Sequence, residues 1–382
     1  MRARPLPCDA QSAGRGRDSA GKTRVLHYGL PNRFDCAGRW FLSSGIQAPN
    51  GAVARYYCAD VQQNRAASTE ITGYAISALE HLHRLTGDAR YRDRALAAAR
   101  FLVRDAWRRE FEAMPFETDR PALAYFFDCG IVVRGLLAAW RAERANEFLE
   151  CAAAVGRSMA RDFRADDGWH PVLALPEKRP LERDAARWSR QPGCYQLKAA
   201  MAWWDLYQAA GDAAFRDLYR ESLQSALANS AEFLPGDTDR LKIMDRLHAY
   251  LYFLEGLIPA AGEESCARAL GGGIRKVAHW LRQIEPEFAR SDVYAQLLRI
   301  RMLADAAGAE PLEREAGGRE ACALAEFQAD GGDRRIGGGF WFGRRNGAWL
   351  PHVSPVSAAF AIEALDLWER PAGAKDAGRP LV

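Results

Sequence analysis

Four ionisable side chains stand where apolar segments begin. Glu70 lies in "STEITGY", Asp128 follows three aromatics in "YFFDCGIVV", Asp292 opens "DVYAQLL", and His248 sits in "DRLHAYLYF". Carboxyls and imidazoles serve general acid–base catalysis, and two carboxyls flanking one bond are the equipment of a glycoside hydrolase. Asp128 and Asp292 form the first candidate pair, one a protonated acid and the other a carboxylate base, with Glu70 in reserve. His248 would act instead if the chemistry were proton abstraction. Each residue also has a plainer explanation. An acid in a first helical turn caps orphan backbone N–H groups or complements the helix dipole. His248, beside Tyr250 and Tyr252, could be a core histidine with its hydrogen bonds satisfied.

What decides between these readings is whether the segments open at one place. "ITGYAISALEHLHRLTGDARYRDRALAAARFL" (71–102) reads as helix, Gly-Asp turn, helix, and "YQLKAAMAWWDLYQAAGDAAFRDLYRESLQSAL" (195–227) repeats it. Gly87 and Gly211 suit left-handed C-caps, and Asp88 and Asp212 can cap the helices that follow. Their separation, roughly two periods of ~60 residues, signals stacked helical hairpins. Further pairs are expected at 127–141 with 146–163, 244–258 with 264–284, and 291–305 with 311–328, before a last helix at 353–368. "GGGIRK" (271–276) is read as a kink in an outer helix. The first helix of each pair is apolar nearly all round, and its partner is amphipathic with an Arg-rich face, as for an inner and an outer ring.

The expected fold is therefore all-α, an (α/α)6 toroid of six helical hairpins. A small β-hairpin is expected near 338–352, turning at "RNG". The sixth outer position would be empty or filled from residues 25–65. Residues 1–24, rich in Arg, Gly, Ala and Ser, read as a disordered extension, 25–370 as one toroidal catalytic domain, and 371–382 as a flexible tail. Antiparallel hairpins point all six inner N-termini to one end, so polar residues there would converge on a mouth.

The segments "STEITGYAISALEHLHRLTGD", "FFDCGIVVRGLLAAW", "GCYQLKAAMAWWDLY", "DRLHAYLYFLEGL", "SDVYAQLLRIRMLA" and "GGFWFGRRNGAWLPHVSPVSAAFAIEAL" resemble the six-hairpin glycosidase-like toroids. Within that superfamily they look most like bacterial proteins associated with polysaccharide biosynthesis, and distantly like the toroidal domain of glucuronyl C5-epimerases. The resemblance spans roughly residues 50–370. Relatives often carry Asp-Thr-Gly-Gln at the second inner helix, where this chain has Asp128-Cys129-Gly130-Ile131. They often carry Tyr-Asn or Tyr-His with a following Arg at the third, where it has Tyr195-Gln196 and Lys198. The resemblance implies a carbohydrate-active enzyme acting on an oligo- or polysaccharide, and converging helix N-termini make an acidic one the expectation.

Hydrolysis by acid and base at the inner-helix N-termini is the first reading. A uronate lyase or C5-epimerase is the second, with His248, Tyr195 or His352 moving the proton and Arg246 or Lys198 neutralising the carboxylate. A non-catalytic polysaccharide-binding factor would need only aromatic platforms, for which Tyr74, Trp169 and Trp341 are the candidates; Gln196 completes the binding set. No Walker loop, H-E-x-x-H or strand-borne G-x-G-x-x-G occurs, so neither metal nor cofactor is expected. Balanced charge, 52 basic against 49 acidic residues, leaves no nucleic-acid footprint. Without an apolar run of membrane-spanning length or a recognisable secretory signal, and with scattered cysteines lacking C-x-x-C, a cytoplasmic location is expected.

Overall fold

The computed structural model describes residues 33–120, 122–234 and 239–375. These contain twelve α-helices: α1 (Arg33–Ser43), α2 (Thr69–Thr86), α3 (Ala89–Phe101), α4 (Phe126–Glu143), α5 (Asn146–Asp162), α6 (Gln196–Ala210), α7 (Ala213–Asn229), α8 (Arg240–Gly256), α9 (Glu264–Ile284), α10 (Ser291–Ala306), α11 (Arg314–Glu326) and α12 (Pro355–Glu369). The even-numbered helices pack in sequence, and α12 returns to α2, which closes an inner ring. Each odd-numbered helix from α3 to α11 lies against the preceding inner helix. The sixth outer place is taken by α1, which touches α12, α2 and α3. The fold is an (α/α)6 toroid.

Local chemistry explains the repeat. Gly87 and Gly211 have φ of 72° and 73°, the left-handed region, and end α2 and α6. Asp88 and Asp212 then accept from the Arg90 and Ala214 N–H groups at 3.0 Å, which starts α3 and α7. The inner helices are buried on nearly every side and approach closely where glycines allow it. A Cβ on Gly135 would stand 2.6 Å from the Gly73 carbonyl, and one on Gly130 would stand 2.5 Å from Ala199 Cα. Gly130 thus lets the mouth ends of α4 and α6 meet, one carrying Asp128 and the other Tyr195.

Short strands rim the end where the inner helices begin: β1 (Tyr57–Cys58), β2 (Gln63–Asn64), β3 (Leu123–Tyr125), β4 (Arg164–Ala165), β5 (Gly168–Trp169), β6 (Val172–Ala174), β7 (Arg179–Pro180), β8 (Phe288–Arg290), β9 (Gly343–Arg345), β10 (Ala348–Trp349) and β11 (His352–Val353). The expected hairpin is β9–β10, turning through Asn346 and Gly347 with φ of 48° and 80°. It extends to a third strand, β8, that periodicity did not reveal. Strands β3, β8 and β11 lead directly into α4, α10 or, through Ser354, α12, and so fix where those helices start.

Three expectations need correction. Helix α8 begins at Arg240, one turn earlier than expected, because Asp239 caps it at the Lys242 N–H. The Gly271–Gly273 run stays inside one continuous helix, α9, where Gly273 receives Leu254 of α8. Within the expected C-terminal tail, residues 371–375 form a 3-10 turn against α10 and α12. The expected extension 1–24 and residues 376–382 lie outside the described residues.

Candidate active site at the mouth of the toroid

The inner-helix N-termini surround a cavity with two lobes, of about 230 and 300 Å³. Glu70, Phe116, His248 and Tyr252 line both lobes. Asp128 and Tyr195 complete one side, and Arg290, Asp292, His352 and Ser354 the other. Glu70, Asp128, Asp292, His248, Tyr195 and His352, from six different elements, therefore meet at one place.

Capping does not account for Glu70 or Asp128. Helix α2 is capped by Ser68, whose hydroxyl accepts from the Ile71 N–H, not by Glu70. Tyr125 is the N-cap of α4 and makes no side-chain cap bond, and buried Asp128 Oδ2 has no hydrogen-bond partner among the described residues. An orphaned carboxyl oxygen beside a cavity costs free energy that a core residue would not retain without another use.

The electrostatics push these groups apart. Burial raises the Glu70 carboxyl to about 7, although Lys198 and Arg55 pull the other way. Burial, then the neighbouring Glu70 charge, holds Asp128 well above the usual carboxylate range. Burial also opposes ionisation of Asp292, but Arg290 outweighs it. Arg290 Nε and Nη2 donate to the two carboxylate oxygens at 3.0 and 2.6 Å, which keeps Asp292 below the ordinary value. Burial, with the Arg290 charge, lowers His248 to about 4 against the counter-pull of Asp292 and Asp245. His352 is lowered by burial and its ring lies 4.7 Å from that of Tyr56. Near neutrality the cavity holds neutral imidazoles, a Glu70 near its midpoint and an ionised Asp292, while burial biases Asp128 toward its protonated form.

Six of the expected binding residues lie elsewhere. Lys198 is buried in the ring centre, 2.6 Å from Glu255 Oε2 and facing the rings of Tyr74, Tyr252 and Phe360. Arg134 and Arg299 share the other Glu255 oxygen, at 3.2 and 2.7 Å. This ion cluster satisfies a lysine that has no access to ligand. Tyr74, 1% exposed, lies in the same core and is no platform. Trp341 stacks on Trp349 at the rim, outside the cavity lining.

Trp169, Gln196 and Arg246 line a separate groove of about 380 Å³ between α6, α7 and the loop of residues 164–193. Trp169 is buried against Phe126 and donates from Nε1 to Ser222. Gln196 bridges the Gly193 N–H and the Trp169 carbonyl, and Arg246 donates to the Phe233 carbonyl. The residues missed in sequence are Arg290, Tyr252, Arg55, Phe116 and Trp188. An "ARSD" tetrad could have flagged Arg290, whereas Trp188 sits in a charged loop with no periodic signal.

No protein-family model matches the chain, and no curated protein matches its sequence significantly. Solved structures share its fold. A sugar epimerase from a ruminal bacterium superposes with a TM-score of 0.68 at 12% identity, covering 89% of this chain and 97% of that one. Cellobiose 2-epimerase from Bacillus thermoamylovorans gives 0.67 at 10% identity, covering 88% and 97%. Unsaturated glucuronyl hydrolase from Bacillus sp. GL1 gives 0.63 at 15% identity, covering 90% and 98%.

Proposed function

We propose that the chain is a carbohydrate-active enzyme that moves a proton at a carbon next to the carbonyl of a neutral sugar, as an epimerase or isomerase does. The observation that carries this reading is His248, an imidazole held neutral by burial and Arg290, facing the same cavity as the protonatable Glu70. A base free above pH ~4 and an acid protonated below ~7 are in their working states together between those limits.

In this reaction His248 takes the C–H proton. The electron pair enters the new C=C bond while Glu70 protonates the carbonyl oxygen, giving an enediol. The enediol then collapses as a hydroxyl proton returns to Glu70. In isomerisation protonated His248 delivers its proton to the adjacent carbon. In epimerisation a water on the His352 side protonates the other face while the resulting hydroxide takes the proton from His248. Among the described residues, both cations lining the cavity are already engaged, Arg290 by Asp292 and Asp245 and Arg55 by Glu117 at 3.4 Å. Lys198 and Arg246, the expected neutralisers of a uronate, lie outside it. A neutral substrate fits this balance better than a uronate. Solved structures with this fold include sugar epimerases and a D-mannose isomerase, which is consistent with the reading.

Hydrolysis is the second reading, favoured by Asp128, whose Oδ2 is orphaned and whose burial favours the acid form. Against it, the Arg290 grip makes Asp292 a weak base for activating water. The experiment incubates the protein with neutral reducing mono- and disaccharides and with unsaturated and saturated uronides. Epimer or ketose formation from a neutral sugar supports the proposal, whereas glycoside cleavage or uronide conversion alone would replace it.

A further inference from the structure

The groove that collects Trp169, Gln196 and Arg246 is not isolated from the mouth. Trp188 lines both, and its ring lies 5.1 Å from His248 and 5.0 Å from Tyr195. Its indole Nε1 donates to Asp245 at 2.8 Å, and Asp245 is also held by Arg290. Trp188 therefore borders both groove and mouth, anchored to the same acid that pairs with the mouth's arginine.

The groove's chemistry is that of a neutral polyol site. Its charges balance: Arg183 and Arg246 stand against Asp167 and Glu232, and Arg183 and Asp167 pair directly at 2.6 Å. Ser225 and Asn229 on α7 offer hydroxyl and amide groups, and Trp188 and Phe233 offer apolar ring surface. Sugars present hydroxyl edges and apolar C–H faces, so they use both kinds of surface. The volume, about 380 Å³, lies within the range of small-molecule pockets.

We infer that this groove is a second, uncharged saccharide subsite, and that the natural substrate is an oligosaccharide running from the mouth across Trp188 into it. The inference rests on the saccharide reading of the mouth and extends it from a monosaccharide to a chain. It also gives Arg246, which lines the groove and donates to the Phe233 carbonyl, a ligand-binding use away from the reacting carbon.

The test measures calorimetric affinity for neutral gluco- and manno-oligosaccharides of two to six residues. The wild type is compared with Ser225→Trp, which fills the groove from half-exposed α7, and with Ser225→Ala as a folding control. The wild type is expected to bind tetrasaccharides at least tenfold more tightly than disaccharides, and Ser225→Trp to abolish that gain. Equal affinities across the ladder, no binding of any member, or a Ser225→Trp profile matching the wild type would each overturn the subsite. Turnover of Glu70→Gln, read separately, reports on the mouth: lost turnover with the length dependence intact separates a failed groove from a failed active site.

Discussion

Arg290 grips Asp292 through two parallel hydrogen bonds, Nε to Oδ1 at 3.0 Å and Nη2 to Oδ2 at 2.6 Å, at the mouth of α10. The pair adds to burial in setting the state of His248. The guanidinium charge, added to burial, keeps His248 neutral, and the occupied carboxylate is a poor base. Arg290→Gln should therefore raise the His248 pKa from about 4 toward its ordinary value. An NMR titration of the imidazole checks this, and Arg290→Lys should restore most of the depression. An unmoved titration in Arg290→Gln would remove Arg290 from the account.

The pH dependence of kcat/KM should be a bell with limbs near 4 and 7, from His248 and Glu70. Glu70→Gln should lower turnover by about 10²–10⁴-fold, the usual worth of a positioned acid. The residual activity should lose its alkaline limb. A limb that persists near 7 in this variant would assign the acid to another residue.

Stability carries the same signature. The folded-state pKa of Glu70 is raised above its unfolded value, so the contribution of its protonated form is complete below about pH 4.5. That contribution is lost as pH rises through about 7. Glu70→Gln, which stays neutral throughout, should melt at a higher temperature than the wild type at pH 8, with the gap narrowing by pH 5. A gap that widens toward pH 5 would show that the carboxylate is favoured by the fold. Melting curves at the two pH values decide it.

Glu255 is the acid that Lys198, Arg134 and Arg299 share, while Arg134 also pairs with Asp205 and Arg299 with Glu363. Glu255→Gln removes the carboxylate that joins the three cations, leaving Arg134 with Asp205 and Arg299 with Glu363, and should cost about 3–5 kcal/mol. Lys198→Met leaves Glu255 its two arginines and should cost less. Denaturant unfolding of the two variants measures the order, and a larger loss for Lys198→Met would reverse the assigned roles.

The ring of hairpins was legible because its signals are local and periodic. Gly87-Asp88 and Gly211-Asp212 mark the turns, and apolar inner helices alternate with amphipathic partners. The convergence of Glu70, Asp128, Asp292, Tyr195, His248 and His352 followed from topology alone, since antiparallel pairs aim every inner N-terminus at one end. Depth along each helix was not legible. Lys198 and Tyr74 stand only one turn below residues that face the cavity, and that turn places them in the core. Nor can a loop's path be read: residues 164–193 carry Trp169 away from the mouth to the neighbouring groove, which Gln196 of α6 and Arg246 of α8 also line. The ion pair of Arg290 with Asp292 has an i, i+2 spacing with no helical regularity, and only the β8-to-α10 corner brings the two together.

The central claim is that His248 removes a carbon-bound proton from a sugar held in the mouth. Its most direct test is deuterium wash-in. Neutral reducing mono- and disaccharides are incubated in D₂O with wild type and with His248→Asn, and the carbon next to the carbonyl is followed by NMR. The account predicts deuterium at that carbon with the wild type and at least a 10²-fold slower wash-in with His248→Asn. Substrate turned over with no deuterium on carbon, or wash-in unaffected by His248→Asn, would contradict it.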